Sequence, residues 1–120
     1  MYMTTQKSSQ LHQTVMKFIA RFTNNGKRQE VIECFSCGCC YWFAEILYER
    51  FLMEADECYL MYDPVINHWA CKIEDRVYDI TGDVTFDYKW EYWESFKYED
   101  ELLTARLFRD CINFGGLEDE

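Results

Sequence analysis

The chain lacks the features that mark a nucleic-acid binder, a membrane protein or a disordered segment. It has only 12 Lys and Arg against 22 Asp and Glu, a formal charge of −10. Such a surface repels phosphate, which argues against direct nucleic-acid binding. No run approaches the roughly 20 apolar residues of a membrane span, and Met1 to Gln10 has no apolar stretch of signal-peptide character. The protein is therefore expected in the cytoplasm, off the membrane. Proline occurs once, at Pro64, and no linker, repeat or low-complexity tract divides the sequence. A single domain over residues 1–120 is expected, with loose ends at 1–8 and 115–120. Histidine is also scarce: His12 and His68 are the only two.

What is present favours a packed core. Hydrophobic residues make up 49% and aromatics 18% of the 120 residues, and a domain of this length buries roughly two thirds of its unfolded surface. The seven cysteines are an odd number, which in a reducing compartment reads as thiols rather than a disulfide framework.

Leu11, Val15, Phe18, Ile19 and Phe22 recur at helical spacing, which predicts a helix over 9–23 capped by Ser8 or Ser9 and stopped by Asn24-Asn25-Gly26. Residues 29–35 read as extended or as an irregular lead-in. Phe43, Ala44, Ile46, Leu47, Phe51 and Leu52 define a helix over 40–53, apolar on more than one side and so central in the fold. Strands are expected at 58–62, 67–73 and 76–81, the first ended by Asp63-Pro64 and the last by Gly82. A short extended piece through Phe86, Tyr88 and Trp90 then turns helical at Trp93 and Phe96, and a final helix spans 99–113. The fold class is α+β: a central helix on a small antiparallel sheet of about three strands, flanked by N- and C-terminal helices.

The strongest chemical feature is Gly38-Cys39-Cys40-Tyr41-Trp42-Phe43-Ala44, a cysteine at a helix start. Unpaired N–H groups and positive partial charge there favour thiolate. A thiol nucleophile needs a base and a group to orient it, and His68 and Asp79 are the candidates. An even-length loop at Glu74-Asp75 pairs Ala70 with Asp79 and His68 with Thr81, which makes His68 and Asp79 diagonal neighbours on one face. An odd loop turns Asp79 away. Cys39 and Asp83 are the fallback nucleophile and orienter. Backbone N–H groups at the Cys40 helix start can supply one oxyanion donor, while Gln29 and Asn67 are guesses for a second. His12, beside the first helix's apolar stripe, reads as exposed and structural.

This arrangement resembles the papain-like and transglutaminase-like cysteine hydrolase superfamily: Cys40 before two aromatics, Asn67-His68 opening a strand, and Asp79 in the next. The resemblance spans Gly38 to Val84, and small bacterial and phage members with a Cys-Tyr-Trp-Phe-Ala and a Tyr-Asp-x-Thr-Gly-Asp segment look most similar. It implies a papain-like core in a bacterial or phage-infected cytoplasm. It further implies cleavage or transfer at amide or isopeptide bonds of a protein or peptide substrate, with Cys40 as nucleophile, His68 as base, Asp79 as orienter and no cofactor.

Two other readings compete. Cys34, Cys37, Cys39 and Cys40 have the spacing of half a zinc site, but no second knuckle follows, so no metal is expected. The −10 charge also suits a phage-encoded inhibitor of the anti-CRISPR type, docking on the basic groove of a nucleic-acid-binding host defence protein. The aromatic, acidic segment from Phe86 to Tyr98 reads mainly as core filling with a solvated acidic face.

Overall fold

A computed structural model describes residues 2–36 and 39–95. Three helices come first: α1 (Tyr2–Phe22), α2 (Gln29–Ser36) and α3 (Cys40–Phe51). Strands β1 (Cys58–Asp63), β2 (His68–Ile73), β3 (Arg76–Asp79), β4 (Gly82–Asp83) and β5 (Glu91–Tyr92) follow. They form one antiparallel sheet in the order β4-β3-β2-β1-β5. The α+β class stands, with five strands instead of about three. The two extra strands have two residues each, too few for an alternating pattern to mark them.

Helix α1 begins at Tyr2, so Ser8 and Ser9 lie inside it and cannot cap its start, and the expected loose N-terminal stretch is helical from Tyr2 onward. Its end follows the expectation. Asn24, Asn25 and Gly26 take φ of 51°, 57° and 82°, the left-handed conformation that Asn and Gly adopt most readily. Helix α2 corrects the extended reading of 29–35. The Phe35 ring packs 5.7 Å from Phe22 and 5.6 Å from Phe43, so tertiary contact outweighs the weak local preference of Val31-Ile32.

Helix α3 buries Cys40, Phe43, Ala44, Leu47 and Phe51. It lies on β2 and β1, with α2 on its flank. Leu11, Val15 and Ile19 of α1 join Phe43, Leu47 and Phe51 over Cys58, Cys71, Ile73, Tyr78 and Ile80 of the sheet side. Each fully buried side chain of this kind contributes about 1.5–3 kcal/mol. Cys58 and Cys71 bring their sulfurs to 3.8 Å as free thiols. The opposite sheet face carries Met61, Ala70, Val77 and Val84, covered by Trp90. The stretch around Phe86 and Tyr88, expected as extended, is a turn and loop that wraps this face, with Asp87 N–H donating to Val84 O (3.1 Å).

Strands β2 and β3 pair Cys71 with Tyr78, Lys72 with Val77 and Ile73 with Arg76. This is the register of the two-residue loop. Glu74-Asp75 is poor turn chemistry, and Glu74 takes φ of 60°, unfavourable for a residue with a Cβ. Its surroundings hold it there. The buried Glu74 carboxylate accepts Asp56 N–H (2.7 Å), Glu74 N–H donates to Glu57 O (2.8 Å), and Lys72 Nζ donates to Glu74 O (2.6 Å). Glu74→Ala is expected to cost about 1–3 kcal/mol in urea denaturation, the cost of leaving a part-buried N–H unpaired. An unchanged midpoint would show that the carboxylate contributes nothing.

The helix expected over 99–113, Phe96, Cys111 and the 115–120 tail lie outside the described residues, as do Cys37 and Gly38. Among the described residues, no single helix is long and apolar enough to cross a membrane.

Candidate active site

His68 opens β2 after a turn in which Asn67 takes φ of 58° and its Oδ1 accepts the Tyr62 hydroxyl at 2.7 Å. Asp63, paired with His68 across the ladder, is buried and uses both carboxylate oxygens. One accepts Val65 N–H at 2.9 Å, the other Lys89 N–H at 3.0 Å. It therefore fastens both the turn before His68 and the loop that brings Tyr88 and Trp90 to His68, with ring centroids at 5.3 and 5.8 Å.

Asp79 ends β3 and is also buried. The His68 Nε2–H donates to its Oδ2 at 2.8 Å. Its Oδ1 accepts Thr81 N–H (2.8 Å) and the Thr81 hydroxyl (2.6 Å), an Asx-type turn that locks the carboxylate. Gly82, at φ 118°, then lets the chain reverse into β4.

Cys40 is the first residue of α3 and only 5% exposed. Its thiol is hydrogen-bonded to the His68 ring. With Nε2 on Asp79, Nδ1 is the ring nitrogen left for the sulfur. Burial pushes the His68 pKa down, but the hydrogen bonds to Asp79 and Cys40 and their negative charge outweigh it and raise it to about 9.

The structure thus brings Cys40, His68 and Asp79 together from α3, β2 and β3. The fallback residues lie elsewhere. Asp83 accepts from Thr85 N–H (3.0 Å), the Thr85 hydroxyl (2.6 Å) and Arg76 (3.0 Å), so it fixes a surface turn. Cys39 is the N-cap residue of α3. Gln29 donates its side-chain amide to Gly26 O at 3.0 Å in the α1–α2 turn, away from the site. His12, expected to be exposed, is half-buried, with Nδ1 2.7 Å from the Tyr78 hydroxyl. Of the cysteine cluster, Cys34 is exposed on α2 while Cys40 is buried. Among the described residues no group of three His, Cys, Asp or Glu gathers as a metal site.

Four residues of the site escape the sequence reading: Thr81, Asp63, Tyr88 and Trp90. Asp79-Ile80-Thr81 and Asp83-Val84-Thr85 share an Asp-x-Thr pattern that signals the carboxylate turn. Nothing local signals that Tyr88 and Trp90 would reach His68. Phe86, by contrast, is 87% exposed, not core filling.

A family model described as Phage YunG-like protein matches residues 15–106, a span containing Cys40, His68 and Asp79. No curated protein and no solved structure matches the chain.

Proposed function

We propose that this chain, which belongs to the phage YunG-like protein family, is a cysteine hydrolase or acyltransferase of papain-like architecture acting on amide or isopeptide bonds. The observation that carries the reading is the buried, hydrogen-bonded row from Cys40 through His68 to Asp79. Apolar side chains would fill such a volume at lower cost, and perturbed titratable groups concentrate where chemistry is done.

In this reading the thiol proton already resides on His68 Nδ1, and Cys40 Sγ attacks the substrate carbonyl as the thiolate of that ion pair. Asp79 holds the ring and balances the imidazolium. The imidazolium then protonates the leaving amine, and a thioester forms on Cys40. Water or a second amine, deprotonated by His68, releases the acyl group. Backbone N–H groups at the start of α3 supply the oxyanion donor in this reading; Trp42 N–H, which donates to Cys39 O (3.0 Å), is not among them. No cofactor enters these steps.

The test is an activated acyl ester incubated with the chain and read by intact and peptide mass spectrometry. One acyl group is expected on Cys40 in the native chain and none in His68→Ala. Acyl groups spread over Cys34 and the lysines, equally in both proteins, would overturn the proposal.

A second reading, an acidic inhibitor occupying a basic groove of a host defence protein, draws on the charge of −10 and the phage family. Inhibition that survives Cys40→Ala and weakens with salt would favour it.

A further inference from the structure

We propose that a cavity beside the start of α3 receives the cationic end of an alkylammonium or guanidinium side chain, so that the substrate is a peptide carrying Lys or Arg. Its role in catalysis rests on the hydrolase reading. Its binding chemistry does not.

The cavity, about 260 Å³, is lined by Tyr41, Glu45 and Tyr48 of α3, by Tyr59 and Leu60 of β1, and by Trp93 and Glu94. It is smaller than the roughly 300–1,000 Å³ of pockets that hold drug-sized ligands, and suits one side chain. Tyr41, Glu45 and Tyr48 fall on one strip of α3 because they are spaced by four and three residues. Four aromatic rings and two carboxylates, with no basic residue among the described residues of this lining, make a receptor for positive charge: ring faces attract cations, and carboxylates pair with them.

Glu45 points to a missing donor. Its Oε1 is buried and has no hydrogen-bond partner among the described residues. Tyr41 supplies a hydrogen bond to this carboxylate, yet one oxygen is left bare. A buried carboxylate oxygen without a donor is costly, and an incoming N–H group removes that cost. Burial and the neighbouring Glu49 raise the Glu45 pKa, while burial and Glu45 push Tyr41 up to about 12; a cation would relieve both. Lys72 lies 6.0 Å from the centre of the Tyr59 ring, but its ammonium is committed to Glu57 (2.8 Å) and Glu74 O (2.6 Å).

The placement links this cavity to Cys40. Tyr41 is the next residue, and the Trp93 wall belongs to the cluster on which Cys40 packs with Tyr62 and Trp69. In this proposal a peptide crossing the thiol places one of its side chains in the cavity.

The test titrates the full chain and its Cys40→Ala variant, by NMR, with Nα-acetyl-lysine methylamide, the matching norleucine compound and cadaverine. The lysine compound is expected to bind roughly tenfold more tightly than norleucine in both proteins, and Glu45→Gln and Tyr59→Ala each to weaken it severalfold. Urea denaturation of both variants checks folding; Tyr59 is 44% exposed, so its loss spares the core. Equal binding of lysine and norleucine compounds, or no change in Glu45→Gln, overturns the proposal. Cadaverine binding more tightly than the lysine compound would overturn the peptide source and assign the cavity to a free amine. Lysine binding without acylation of Cys40 would keep the cation site and refute the hydrolase.

Discussion

Near neutral pH iodoacetamide is expected to alkylate buried Cys40 faster than exposed Cys34, by roughly tenfold, reversing the order that accessibility alone dictates. Cys34 lies exposed on α2, whereas Cys40 is 5% exposed, so a rate set by access favours Cys34. In the proposed mechanism the His68 ring changes the order by holding the thiol proton, since thiolate is the reacting form. His68→Ala should drop Cys40 below Cys34. Peptide mapping of all seven cysteines reads the result. Cys40 slower than Cys34 in the native chain would mean that His68 does not activate it, and the proposed mechanism would fail.

The second large effect is on stability. The His68 pKa rises from 6.5 to about 9 on folding. Below pH 6.5 folded and unfolded chains both carry the proton, and the stabilisation is complete. As pH climbs through 9 the unfolded chain has already lost the proton and the folded one loses it too, so the contribution disappears. The shift corresponds to about 3 kcal/mol. Urea denaturation should therefore show the native chain losing roughly this much more than His68→Gln between about pH 6 and 9.5. Asp79→Asn should shrink the slope, because Asp79 holds the ring, and Asp83→Asn should leave it unchanged. Parallel curves for the native chain and His68→Gln would remove the ion-pair account of the site.

The register of β2 and β3 was legible because one loop parity placed Asp79 beside His68, and the observed pairing of Lys72 with Val77 is that parity. The core stripe of α1 was equally plain, since Leu11, Val15 and Ile19 recur every four residues. Its true start was not, because residues 2–8 carry no apolar stripe to extend the pattern. Helix α2 was hidden for another reason: Phe35 gains its partners Phe22 and Phe43 from other helices. The same holds for Tyr88 and Trp90, which meet His68 only because Asp63 ties a loop far along the chain. Local pattern thus revealed the Cys40, His68 and Asp79 candidates, while the groups that hold them in place arise from long-range contacts.

The three groups sit at the ends of elements that touch only once the sheet has closed under α3. A chain still leaving the ribosome has the sulfur long before it has the ring and the carboxylate. On the proposed mechanism, chemical aggressiveness is therefore a property of the finished molecule alone, and the emerging polypeptide carries the Cys40 sulfur without the partners that would activate it.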